Sequence, residues 1–501
     1  MVLPIVLILT VALTITGLAF LNAGVMEHNL ASREVYKNQA FYLAEAGLER
    51  TLWNLKEDYE SGDRDWSDGD LNGVTLGGAV EGWSELIWPP VEPDLGPGTY
   101  LVRVKVIDAN KLWIRSWGKV KDKIKVVQAL ARIMNASPWN NAIFARGGGA
   151  GGVVEGNALA AGSIHILGEG LTSTDFAMDI SGTAGMRNNY NDMALELLAK
   201  VPPCPQASFN GEMIDSLGAE LRVKIGKVGL SGTATIGEAD VFGNLSKETA
   251  DGVYVSDGYG GNQGELNVSS DNGTGEPYDM GAYVPFPSLM DPYPGYATYL
   301  DYLYDNALLI NENKISSTVA DFSHGPDING NSISWNQSEG KLTINGLIRV
   351  NGDFLDLGEE KFEAIEYSGE GTILVARDNG GIVGSIQVHG DLVAEGTYSA
   401  GLGFPHNALG LIAGELALAP DPGESQLMMT GAFFAENKVT SRMQNEIAGS
   451  FVTSWFDVAD QVPRLYQVPD LALNLPPFMP GGSPDWYLIV GEWSELPPEG
   501  W

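Results

Sequence analysis

The stretch Met1–Met26, MVLPIVLILTVALTITGLAFLNAGVM, holds no Asp, Glu, Lys, Arg or His, and it runs on through QAFYLAEAGLER at Gln39–Arg50 with no proline or glycine between the two. At about 1.5 Å per residue, a helix of this length spans roughly 39 Å, against roughly 30 Å of bilayer hydrocarbon. It is long enough to cross with some tilt. Nothing basic precedes the apolar run and the pattern continues as helix, unlike a cleaved secretory signal. The basic flank that orients a membrane helix is also missing, which points to a Met1 that follows a removed basic leader.

We read residues 1–57 as one long helix. In its outer half Ala40, Leu43, Ala44, Gly47, Leu48, Leu52 and Leu55 recur at three- and four-residue steps, while Lys37, Glu45, Glu49, Arg50 and Lys56 lie off that stripe. Ala40, Leu43, Ala44, Gly47 and Leu48 are the expected filament-packing face, because the small residues let another backbone approach closely. Docking on the chain's own sheet explains the same stripe, but not the uncharged inner half. Gly17 and Gly24 are weak points where that inner half could unwind on assembly.

Residues 58–135 read as a connector rich in Gly, Asp and Trp, followed by a small antiparallel sheet. Alternating runs at Tyr100–Ile107, Lys111–Gly118 and Ile124–Ile133 are separated by turn signals. The alternation sets Arg103, Lys105, Lys123 and Lys125 on one face and valines and isoleucines on the other, which can receive the helix stripe.

An apolar N-terminal segment, AFYLAEAGLER at Ala40–Arg50 and a sheet directly after it resemble a type IV pilin-like protein of the PilX type. The resemblance covers roughly residues 1–135. It implies a leader removed by a prepilin peptidase, insertion in the cytoplasmic membrane, and extraction by pilus assembly machinery into a homo-oligomeric helical filament, displayed outside the cell. One departure matters: many pilins carry glutamate at the fifth mature position, where this chain has Ile5. That departure resembles tip subunits, or a filament built without the pairing.

Residues 136–501 read as a large β body. Three stretches share the pattern G-x-I-x-(V/I)-x-G-(D/E): GSIHILGE at Gly162, GLIRVNGD at Gly346 and GSIQVHGD at Gly384. Such repetition predicts stacked rungs, β-helix-like or solenoid-like, with inward Ile and Val and glycines at corners. With 63 glycines and 26 prolines, the composition favours β structure with many corners over a helical body. Pro285–Asn306, aromatic and partly helical in pattern, is expected to plug or flank the stack. The proline-rich tail from Val462 reads as extended chain on the surface. The expected class is therefore α+β, with a long helix on a small sheet and then a mostly-β body.

The formal net charge is −35. Residues 1–135 carry 14 Lys+Arg against 17 Asp+Glu, and residues 136–501 carry 15 against 47, so the excess acid lies in the β body. That disfavours nucleic acid and anionic lipid as partners. A single cysteine, Cys204, excludes an intramolecular disulfide.

Catalytic constellations are not found: no G-x-S-x-G, no Cys/His pairing, and five scattered histidines, of which His165 and His389 are expected to face solvent. The glycine run Gly147–Gly152 lacks the Lys-Ser/Thr of a phosphate loop. No cofactor is expected, save a possible calcium ion at Asp68, Asp70 and Asn72, followed by Gly73. Position twelve of that loop is Ala79, so the bidentate ligand is missing unless Glu81 or Asp65 substitutes. Asp271–Glu276 is a weaker acidic loop. The expectation is a structural, non-enzymatic filament subunit. The alternatives are a minor or tip pilin with an adhesive role, and a membrane-anchored protein that binds or cleaves glycan, with Trp486, Tyr487, Trp493 and Trp501 as stacking rings.

Overall fold

The computed structural model describes residues 2–61, 70–71, 74–77, 82–87, 98–108, 111–147, 158–209, 211–271, 273–275, 284–359, 364–376, 384–421, 426–457, 463–482 and 486–497. The chain forms two compact units, one from Met1–Met134 with Trp486–Trp501 and the other from Asn135–Asp485. The second unit is an insertion in the first. The residues from Trp486 on, expected in the β body, belong to the helix–sheet unit instead. Their strand Trp486–Leu496 (WYLIVGEWSEL) takes the place beside Lys123–Asn135 in the sheet, where the meander alone would end in an unpaired edge.

In the first unit one helix runs unbroken from Val2 to Ser61, four residues beyond the expected end. The sheet is antiparallel through Gly98–Asp108, Lys111–Val120 and Lys123–Asn135, with Val104 opposite Ile114 and Ile114 opposite Ala129. Its apolar side, including Val102, Val104, Leu112, Ile114, Val127 and Ala129, packs on Ala44, Leu48, Leu52 and Leu55 of the helix. Each leucine buried there contributes about 1.5–3 kcal/mol, enough in sum to hold the outer half of the helix by packing.

Two glycines set how close the helix comes. A Cβ on Gly118 would lie 2.0 Å from the Ala40 carbonyl oxygen and 2.5 Å from the Ala44 nitrogen, and one on Gly47 would lie 2.4 Å from Ser116 Oγ. Only bare backbone fits at that crossing.

The inserted unit is a stack of parallel strands in register. One column runs Leu308, Ile348, Ile373, Leu411, Phe433, Phe451, Ile143, Ile164, Leu221, Val253, each paired with the next. A second runs Leu355, Ile386, Leu416, Val439, Phe456, and a third Ile365, Leu392, Met429, Ile447, Leu465, Ala160, Met186, Ile236. From Ile348 to Val253 in the first column, and throughout the other two, these side chains are buried and form the core. The three repeat copies lie in these strands, and their first glycines sit where no Cβ fits. At Gly162 and Gly346 the next backbone N–H donates to an amide side chain, Gln467 Oε1 and Asn331 Oδ1, and at Gly384 it donates to the Asp353 carbonyl.

The spatial order of the rungs is not the chain order. The strand at Phe451 pairs back to the one at Ile143, so the later half of the unit stacks before the earlier half, and the chain must return from Val253 to Leu308 across the stack. The return segment flanks the outer side of the first column, with Phe286 5.7 Å from Phe434 and Tyr304 beneath the Arg349 guanidinium at 4.6 Å. The tail does not simply wrap the surface. Arg464–Tyr466 is a strand of the stack, and Met479 and Pro476 lie on Gly410 in the sheet. The two ends of the insertion meet where Trp139, fully buried, donates its indole N–H to the Pro480 carbonyl.

Candidate assembly surface

Among the described residues, nothing packs on the inner half of the long helix. Leu3 is 85% exposed and Leu13 65%, and the apolar side chains through Leu30 stand out on every side. A window of mean hydropathy 2.4 in this helix is wholly unburied. A helix that is apolar all round belongs in an apolar surrounding, lipid or other helices. Its threonine hydroxyls are satisfied internally: those of Thr10, Thr14 and Thr16 donate to the carbonyls of Val6, Thr10 and Ala12. No hydroxyl is left asking for water. Pro4 sits in the first turn, where the amide would have no partner. The helix passes through Gly17 and Gly24 without a break, and the two glycines floor a shallow groove edged by Phe20, Leu21, Val25 and His28.

The stripe predicted for filament packing is occupied by the chain itself. Ala40 and Ala44 are fully buried, Leu43 and Leu48 nearly so, and Gly47 faces Ser116, Tyr100 and Val102. This corrects the expected assignment: the small residues admit the strand at Gly118, so no neighbour's helix can use that face while the sheet stays docked. The contact begins at Tyr36, whose hydroxyl accepts from Lys121 Nζ, with the ammonium 4.0 Å from the ring centroid. Arg50 donates to the Tyr100 hydroxyl, and Trp493 meets Phe41 edge-on at 6.2 Å. The signal for this partner was Gly118, a glycine between Trp117 and Lys119 in a strand, which marks close backbone approach.

Of the calcium candidates, Asp68 and Asn72 lie outside the described residues, and Asp70 opens the two-residue strand Asp70–Leu71. Among the described residues no three His, Cys, Asp or Glu side chains are gathered as for a metal. In the second acidic loop Asp271 is engaged by Lys247 at 2.6 Å, an ammonium that also pairs with Asp251. Of the glycine run, Gly147 ends a strand and the rest lies outside the described residues.

His165 does not face solvent as expected. It is buried edge-on against Phe144, with ring centroids 5.0 Å apart, and burial, reinforced by Arg222 and Lys224, lowers its pKa to about 3. The imidazole is held neutral by its surroundings. Its neighbour in the ladder is Arg222, paired in the interior with Glu220 at 2.7 Å and stacked over Tyr254. These groups are structural: the outward side of this column is a second buried layer. His389 is also largely covered, 4.0 Å from Asp421. Cys204 is partly buried, and burial pushes its thiol up to about 12, which leaves it a poor nucleophile.

In fold the chain is similar to the crystal structure of the competence-associated pilin ComZ from Thermus thermophilus, over 92% of this chain and 97% of that one, with a TM-score of 0.55 and 20% sequence identity. At that identity the likeness is one of fold: a long N-terminal apolar helix leading into a large, mostly β region. No family profile matches the chain, and no curated protein matches it in sequence.

Proposed function

We propose that the chain is a structural subunit of a type IV pilus-like extracellular filament, and not an enzyme. The helix is held first in the cytoplasmic membrane and then in a bundle of the same helices from other copies. The observation that carries this reading is the bare inner half of an otherwise docked helix. An anchor needs only the length, and the likeness in fold to a pilin favours the filament.

On this reading the intersubunit contacts fall on the inner half, residues 2–35, with the groove at Gly17 and Gly24 as the place where a neighbouring helix comes closest. A leader peptidase of the prepilin type and the assembly machinery are the partners before extraction, and the acidic inserted unit is displayed outward. A tip or minor position is the second reading, favoured by Ile5, since no acid stands at the fifth position to pair with a neighbour's terminal amine. Electron microscopy of filaments sheared from cells, with the subunit identified from the density, tests the reading. Density for the inserted unit repeating along the shaft is the expected result. Density only at one end selects the tip position, and filaments without it anywhere reject both.

A further inference from the structure

We propose that the loop at residues 239–245 of the inserted unit docks on the basic end of the first sheet in a neighbouring copy of the chain, a contact that presupposes the filament and adds to it a junction away from the helices. The loop carries Val241, Phe242 and Leu245, all exposed, Phe242 at 84%. Met213, also exposed, stands two residues before Asp215, which bridges to Ser246 just after the loop. Single exposed apolar residues are ordinary on a surface, but four large ones on one loop and the hairpin beside it mark a contact site.

The loop is built to hold them there. The Asp240 carboxylate accepts the Glu248 and Thr249 N–H groups at 2.5 and 3.2 Å and the Thr249 hydroxyl at 2.8 Å, closing the loop at its base. Within it the Asn244 N–H donates to the Val241 carbonyl and the Asn244 side-chain amide to Glu248, while the Leu245 carbonyl accepts from the Asp215 N–H of the hairpin. The apolar side chains stand on a backbone that is already ordered, so docking costs little loop entropy.

The charges around the loop select the partner. Glu238 and Asp240 lead into it, Glu248 closes its base, and Glu212 is exposed beside Met213. The nearby cations are already engaged: Lys247 pairs with Asp251 and Asp271, and Arg187 pairs with Asp192 at 2.8 Å and reaches Glu238 only at 4.0 Å. Burial, joined by the charges of Glu238 and Asp240, raises the Glu248 pKa, as happens where carboxylates crowd with too few cations. The complementary surface is therefore apolar and basic, which anionic lipid and nucleic acid are not. The chain itself has such a surface. Residues 98–135 carry 9 Lys+Arg against 2 Asp+Glu, whereas the chain beyond residue 135 is in acid excess. At one end of this sheet Lys105, Val106 and Ile107 are exposed together, with Lys111 opposite Asp108 and Arg132 opposite Lys111. Two different patches joined in this way make a head-to-tail contact that continues from copy to copy, as a filament requires.

Filaments sheared from cells making the full chain provide the test. With Phe242→Cys and Ile107→Cys in one chain, oxidation should give a ladder of disulfide-linked multimers, absent when Phe242→Cys is accompanied only by the native Cys204. Phe242→Asp should lower filament yield about tenfold, the loss of one aromatic anchor, with the melt of the detergent-held chain unmoved because Phe242 is exposed. Lys105→Glu and Glu238→Lys should each lower the yield up to about fivefold, the worth of a charge pair at a rim, and together should restore it. Wild-type yield from Phe242→Asp, filaments that give no ladder or dimers alone, or a charge-reversed pair that assembles no better than either single variant overturns the contact and leaves the filament reading standing. A wild-type chain that forms no filaments overturns both.

Discussion

The two halves of the long helix share one backbone and differ in everything around it. From Tyr36 outward the helix is pressed onto its own sheet so closely that glycine is required on both sides, at Gly47 and at Gly118. Before Tyr36 its side chains are exposed almost without exception, and at Gly17 and Gly24 nothing lies within 4 Å of where a Cβ would be. Small residues in a helix therefore mean opposite things in the two halves. In the outer half they record a contact already made, and in the inner half they leave room for one still to come.

The largest effect is expected where a charge would enter the occupied half. Ala44→Lys places an ammonium between the helix and Val102, Ile114 and Ala129, with no acid to receive it, and should destabilise the first unit by about 3–5 kcal/mol. Thermal unfolding of the full chain in detergent, followed by near-UV circular dichroism of Trp113 and Trp117, would show this directly. An unchanged melt with loss of filaments would return Ala44 to the intersubunit surface and break the comparison.

Next in size is the same charge in the bare half. Leu13→Lys at the middle of the apolar run should cost about 2.5–3.5 kcal/mol of membrane insertion, and filaments should disappear with it. The melt of both folded units should not move, because Leu13 touches neither. Insertion measured by carbonate extraction separates the two effects. Wild-type membrane content would sink the reading of the inner half as a lipid-facing span.

Much of this contrast was legible in the residues. The uncharged run, the three- and four-residue stripe from Ala40 to Leu55 and the alternating strands each follow from local periodicity, which a sequence carries in full. What faces the stripe does not, because the partner at Gly118 lies some 70 residues on and periodicity reports only that a face is apolar. The same limit applies to the inserted unit. The repeats at Gly162, Gly346 and Gly384 announce rungs, but nothing local says that the strand at Phe451 pairs back to Ile143, or that the strand Trp486–Leu496 returns to the first sheet. His165 shows it at one position. Alternation places its side chain opposite Ile164 and Ile166, and only the layer packed outside that column, drawn from distant sequence, decides that it is buried.

The finest test is a matched pair of glycines. Gly118→Ala should destabilise the first unit by about 1–3 kcal/mol, since the new methyl overlaps helix backbone, which cannot swing aside as a flexible side chain would. Gly17→Ala has the opposite sign for the chain alone: with open space around the site, alanine should raise helix stability by up to about 1 kcal/mol. In a filament the two readings of Gly17 part. If a neighbouring helix crosses there, the methyl holds the helices apart, and filament yield falls while amide exchange along residues 10–24 slows in the detergent-held chain. If no helix crosses there, the gain in helix stability comes with undiminished filaments, and the groove between Phe20 and Val25 is incidental to assembly. A change of one methyl thus separates a helix that is bare because it waits for a partner from one that is bare because lipid is its only surrounding.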